Sequence, residues 1–240
     1  MTDPTDSLLH LDIGTILRTL AQFRPDPEAQ LRRRLLEAQL ERLNPRPPIP
    51  FVPAPWEAID WTERTDVIVT GDRGSGKTAL AASIAQASQR PIACIDWPSG
   101  PAETIGGRTV SAELIAQLPR CVLVLDEARL RTQHRKPEWL WSMIALARQR
   151  DHSLIWTAQS TASIAPDILR MDARLAFKRT NPIAARFGRE ELSDIATAAK
   201  TLLDTREGPG ATAILDGGQW ILTDAPLPTG WTDRVSRLWT

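Results

Sequence analysis

A mostly parallel α/β sheet covered by helices is the fold class that the 240-residue sequence predicts, and three observations predict it. From Trp56 onward, short apolar runs rich in branched residues alternate with helical patterns. One of these runs, Asp66 to Thr70, passes directly into a glycine-rich segment and then into a helix pattern. Another, Cys121 to Asp126, is apolar throughout and ends in the two carboxylates Asp126 and Glu127. Continuously apolar strands need cover on both faces, which is how parallel sheets built from crossover units are made.

In chain order, two helical patterns come first, Leu8 to Phe23 and Glu28 to Leu43, separated by Pro25 and Pro27. In the second, Leu31, Leu35, Leu36, Leu40 and Leu43 share one face, as a docking helix or a partner contact requires. Residues 1–44 therefore read as a helical N-terminal extension. Six prolines between Asn44 and Pro55 forbid helix and favour an extended spacer, so residues 45–55 read as a linker and 56–240 as the main domain. Strands are expected at Asp66 to Thr70, Pro91 to Asp96, Cys121 to Asp126, Leu154 to Ala158 and Arg174 to Lys178. Helices are expected at Lys77 to Gln89, Ala112 to Leu118, Pro137 to Arg150, Pro166 to Arg170 and Glu190 to Leu203. The last two runs, Ala211 to Leu215 and Trp220 to Thr223, flank Asp216, Gly217 and Gly218 and read as a hairpin.

Basic and acidic residues balance at 29 each, so the chain is not a globally basic nucleic-acid binder; any such contact must come from clustered arginines. Cys94 and Cys121 fall inside apolar runs and read as small buried hydrophobes of a reducing compartment. No apolar run approaches the roughly 18 residues of a membrane span, and a soluble, intracellular protein is expected. His10, His134 and His152 have no ligand spacing, so no zinc site is read.

The glycine-rich segment is Gly71, Asp72, Arg73, Gly74, Ser75, Gly76, Lys77 and Thr78. It meets every position of the phosphate-loop pattern in the strand-to-helix context the mechanism needs. Backbone N–H groups must curl round a phosphate there, and side chains would obstruct them. Lys77 is expected on the β- and γ-phosphates of ATP, and the Thr78 hydroxyl on Mg2+. Downstream, Asp126 is expected in the magnesium shell and Glu127 as the group that polarises the attacking water. The strand carrying this pair is expected beside the phosphate-loop strand. Gln159, which ends the following strand, is then placed to sense the γ-phosphate. Arg148 and Arg150 close the helix before it, where a cation is mildly favoured in any case; either could instead serve as an arginine finger on a neighbouring subunit's nucleotide.

Together GDRGSGKT, CVLVLDEA and ARQRDHSLIWTAQS resemble the FtsK/HerA superfamily of DNA-translocating ATPases. Within it they are most similar to the compact genome-packaging ATPases of double-jelly-roll, membrane-containing icosahedral viruses, over roughly Val67 to Thr180. The resemblance implies an ASCE/RecA-like P-loop sheet, ATP and Mg2+ as cofactors, double-stranded DNA as partner, and a homo-oligomeric ring of five or six subunits. It also implies a capsid-vertex or membrane protein as a further partner, with the motor in the host cytoplasm or at the packaging vertex. An arginine eleven positions before the strand-ending glutamine in that family falls here on Arg148.

Such a ring needs basic loops for a phosphate backbone. Arg129, Arg131, Arg135 and Lys136, just after the acidic pair, form the best run, and Arg108 in the glycine-containing stretch Pro98 to Thr109 is a second candidate. Trp56 and Trp61 precede the first strand and read either as sheet packing or as an adenine stack; Trp139, Trp141 and Trp156 read as core or subunit contact. Two other functions fit the motifs: an AAA+ helicase loader or cellular DNA-transfer ATPase, and a nucleotide-dependent binding switch. A C-terminal hairpin in place of a helical lid argues against the loader.

Overall fold

The computed structural model describes residues 49–97, 101–127, 137–164, 168, 172–180 and 190–231. The expected helices at Leu8 to Phe23 and Glu28 to Leu43, the basic run from Arg129 to Lys136, and all of Pro166 to Arg170 except Ile168 lie outside the described residues.

Among the described residues nine strands form one sheet. They are β1 (Phe51–Pro53), β2 (Asp66–Thr70), β3 (Ile92–Ile95), β4 (Arg108–Val110), β5 (Val122–Leu125), β6 (Ser153–Ala158), β7 (Ala173–Phe177), β8 (Ala211–Asp216) and β9 (Gln219–Asp224). The helices are α1 (Lys77–Ala87), the single turn α2 (Pro101–Thr104), α3 (Pro137–Gln149) and α4 (Glu190–Leu203). Spatial order is β1-β9-β8-β7-β2-β6-β5-β3-β4. Only β8 runs against the others, so eight strands deliver their carboxyl ends to one edge.

This order corrects one expectation. The acidic-pair strand β5 is not beside the phosphate-loop strand β2; β6 lies between them and pairs with both. Three further elements depart from the sequence reading. Phe51–Pro53, the end of the proline-rich spacer, is a sheet strand parallel to β9, and an edge position tolerates the missing N–H of Pro53. Arg108 belongs to edge strand β4 and not to a loop. The segment Ala112–Gln117 is 3-10 in place of the expected α-helix.

Alternation within the apolar strands explains the layers. Val67 and Val69 of β2, with Val122 and Val124 of β5, pack on Leu80, Ile84 and Ala85 of α1. Ile68, Leu123 and Leu125 point to the other face, onto Met143, Ile144 and Ala147 of α3. On that same face Phe177, Ala213 and Leu222 meet Ala196, Ala199 and Leu202 of α4. Cys94 and Cys121 are free and buried, and burial pushes their thiols up to about 12 and about 11. No helix of the described residues is long and apolar enough to cross a membrane.

Candidate nucleotide-hydrolysis site

The site forms where β2, β5, β6 and β7 end together. Register places Thr70 beside Ala158 of β6 and Phe177 of β7. The next residues, Gly71, Gln159 and Lys178, therefore emerge side by side at the carboxyl edge.

The loop after β2 is fastened at both ends. The Asp72 N–H donates to the Arg179 carbonyl at 3.0 Å, and the Ser75 N–H to the Asp72 carbonyl at 3.1 Å. A Cβ on Gly71 would lie 2.7 Å from Ser75 Oγ and 2.9 Å from Lys178 Cβ, so the close approach of β7 demands glycine there. Gly76 caps α1 with φ of 89°, a left-handed conformation that turns the loop into the helix axis. Lys77 Nζ donates to the Asp72 carbonyl at 2.8 Å, which bends the ammonium back over the loop. Burial lowers its pKa, against the raising influence of Glu127 and Asp126. Gly74 and Arg73 are exposed along the rim of this loop.

Across from it, Thr78 Oγ1 donates to Asp126 Oδ1 and Oδ2 at 3.1 and 3.0 Å. Hydroxyl and carboxylate are hard oxygen donors, the set that suits Mg2+, and these two residues would hold it. When bound, the ion would draw charge from the phosphate oxygens. Burial dominates at Asp126 and raises its pKa, while hydrogen bonds from Thr157 and Thr78 lower it; a cation beside it would offset the cost of keeping the carboxylate charged.

Thr157, on β6, is a site residue that sequence reading missed. It is fully buried. Its hydroxyl accepts from the Glu127 N–H at 2.8 Å and donates to Asp126 Oδ1 at 2.5 Å. One hydroxyl thus sets the orientation of both carboxylate residues. The only signal was its place two residues before Gln159 on the neighbouring strand, and that neighbour relation emerges only from the sheet order. Thr157→Val is expected to raise the Mg2+ concentration for half-maximal hydrolysis and to lower kcat by roughly ten- to a hundredfold, since a buried carboxylate loses a donor and a main-chain N–H its acceptor. Thr157→Ser should recover most of both values in a Mg2+ titration of turnover.

Glu127 stands at φ of 51°, and Gln159 Nε2 donates to its Oε1 at 3.2 Å. The residue expected to orient water and the residue expected to sense the γ-phosphate are therefore in direct contact. With β6 between β2 and β5, Gln159 projects between phosphate loop and acidic pair, a better position for that role than the expected order would give.

Arg148 and Arg150 are not part of this cluster. Arg148 lies in the last turn of α3 and Arg150 just beyond it, at the amino edge of the sheet, and both are exposed. Neither guanidinium makes a hydrogen bond or ion pair among the described residues. Arg148 lines a depression there with Trp141, Asp66 and Arg174. Asp66 is buried, accepts from Arg64 Nη2 at 2.7 Å and from the Leu154 N–H at 2.9 Å, and ties β2 to β6. Trp56 and Trp61 lie away from the nucleotide loop, buried against each other at 5.1 Å between ring centroids. Arg174, near the start of β7, covers Trp61 at 5.1 Å. Of the two readings for these tryptophans, packing is the one observed.

The sequence matches the ATPase family associated with various cellular activities (AAA) over residues 67–179, the span from β2 to the end of β7. No curated protein matches the chain. Among solved structures, the genome-packaging NTPase B204 from Sulfolobus turreted icosahedral virus 2 in complex with AMP is similar, with TM-score 0.53 and 16% identity over 70% of this chain and 100% of that one. The sulfate complex of the same NTPase gives 0.51 and 15% over 69% and 98%. EssC (ATPases 2 and 3) from Geobacillus thermodenitrificans is more distant, at 0.47 and 17% over 75% of this chain and 43% of that one. The likeness to the packaging NTPase is one of fold, and it spans that protein from end to end. The loop Gly71–Thr78, the carboxylates after β5 and the family match from β2 to β7 together make residues 67–179 an AAA-type P-loop ATPase domain, and the chain that carries it an ATP-hydrolysing enzyme.

Proposed function

We propose that this enzyme is an ATP-driven double-stranded DNA translocase of the FtsK/HerA type, and that it packages a genome as a homo-oligomeric ring. The observation that carries the reading is the placement of Arg148. Its guanidinium lies at the amino edge, in the depression that also holds Asp66 and opposite the edge that holds the phosphate loop, so it cannot serve the nucleotide of its own subunit. A second subunit stacked against that edge could use it. Trp141, seven residues earlier on the same helix face, is 45% exposed and offers apolar area for such a contact. The fold likeness also supports a packaging motor, because it takes in the whole length of the packaging NTPase and 70% of this chain. The family match alone would equally suit an AAA+ loader, but the segment after α4 is the hairpin β8–β9, built into the sheet, and not a helical lid.

A motor consumes ATP faster when it has track to move on. Turnover is expected to rise severalfold with double-stranded DNA and to show no sequence preference, whereas a nucleotide-dependent switch would stay near its basal rate. DNA affinity should fall steeply with salt, since released counterions drive binding. Neutralising Arg129, Arg131, Arg135 and Lys136 together should lower the slope of log affinity against log salt by about three to four. An unchanged slope in filter binding would move the path elsewhere, with Arg108 on β4 the next residue to test. A capsid-vertex or membrane protein as anchor, and a site of action in the host cytoplasm or at the packaging vertex, complete the proposal.

A further inference from the structure

The phosphate loop accounts for a triphosphate but not for the base, and the tryptophan pair that could have stacked on it lies at the opposite edge. A cavity of about 320 Å3 opens beside the loop instead, lined by Gly74, Ser75, Arg179, Leu203, Gly208 and Pro209. Small-molecule sites run from roughly 300 to 1,000 Å3, so this one suits a nucleoside and is too small for a peptide. One wall is firmly held. Lys178, buried between the sheet and the loop, donates from Nζ to the Pro209 carbonyl at 2.6 Å and to Thr212 Oγ1 at 3.3 Å. The opposing group is free: the Arg179 guanidinium is exposed and has no hydrogen bond or ion pair among the described residues. Its main-chain carbonyl, meanwhile, anchors Asp72 of the phosphate loop.

Groups that could read a base edge are scarce in this cavity. Pro209 has no N–H, and its carbonyl accepts from Lys178. Arg206 is paired with Asp224 at 3.2 Å. Among the described residues no Asn, Gln, Asp or Glu side chain lines the walls.

We propose that this cavity takes the base and ribose of the nucleotide, that the Arg179 guanidinium stacks on the base, and that all four common bases are accepted with little discrimination. It rests on the phosphate loop as the triphosphate cradle and not on the DNA reading. Stacking on a guanidinium is tolerant because every base has a π-face. Strong selection, by contrast, needs fixed polar groups that the wrong base would leave unpaired.

The test is steady-state hydrolysis of ATP, GTP, CTP and UTP by the full chain, with inorganic tripolyphosphate as a base-free inhibitor. Values of kcat/KM within about tenfold of one another are expected, and a preference above roughly a hundredfold for one base would overturn the inference. Arg179→Ala should raise KM for all four by about tenfold while leaving kcat and the tripolyphosphate inhibition constant unchanged. Arg179→Lys keeps the charge without the plane and should behave like the alanine variant. An unmoved KM in Arg179→Ala, full recovery in Arg179→Lys, or weakened tripolyphosphate inhibition in step with KM would each sink the stack, the last two by showing that Arg179 acts through charge. DNA stimulation can succeed or fail independently of these outcomes, so the two readings are separable.

Discussion

Glu127→Gln is expected to bind ATP about as tightly as the parent chain and to turn it over about a thousandfold more slowly, because the amide keeps the shape of the side chain and loses the charge that polarises water. Gln159 Nε2 now donates to Glu127 Oε1, and an amide oxygen can accept the same bond, so the local structure should hold. Single-turnover chemistry separates the effects: binding measured with labelled nucleotide should stay constant while the hydrolysis step slows. Should affinity and turnover fall together, Glu127 would be a structural residue. Its contact with Gln159 would then serve only to close the carboxyl edge.

The second large effect concerns Arg148. Placed at the amino edge, away from its own phosphate loop, it is expected to act on a neighbouring subunit, so Arg148→Ala should bind ATP and hydrolyse it roughly a thousandfold more slowly. Lys77→Ala should fail earlier, at phosphate binding, since its ammonium lies over the loop that cradles the anion. Mixing the two inactive variants is the informative experiment. A Lys77→Ala subunit still carries an intact arginine for an Arg148→Ala neighbour that still binds ATP, so partial turnover should reappear in mixed rings. No recovery at any ratio, with mixed oligomers confirmed by mass, would count against action in trans. The same complementation obtained with Arg150→Ala in place of Arg148→Ala would assign the role to the other arginine.

The phosphate loop was legible because its chemistry is contiguous: strand, glycines, lysine, hydroxyl and helix follow one another without a gap, and the observed strand Asp66–Thr70 has the expected bounds. The interior strands were legible because burial on both faces leaves long apolar runs. The edge strands were not. Phe51–Pro53 pairs with a segment far along the chain and is exposed along its whole length, so neither an apolar run nor a period of two marks it. Lateral order was likewise hidden, since it is a property of distant pairings, and with it the role of Thr157 between two carboxylates. The tryptophans show a simpler failure. Residues just before a parallel strand lie at its amino edge, whereas the phosphate loop leaves from the carboxyl edge, so an aromatic at Trp61 is a strand length away from the nucleotide.

Glu127 holds its place at φ of 51° without being glycine, and that has a consequence for heat resistance. Side chains in the left-handed region cost about 1 kcal/mol or more relative to glycine, and this one persists because its N–H is held by Thr157. Glu127→Gly should therefore melt higher, by roughly 2–4 °C in a domain of this size, while losing hydrolysis altogether. A scan for thermal tolerance would select the dead enzyme, and the living one keeps a less stable backbone at the position where its chemistry needs a carboxylate for water.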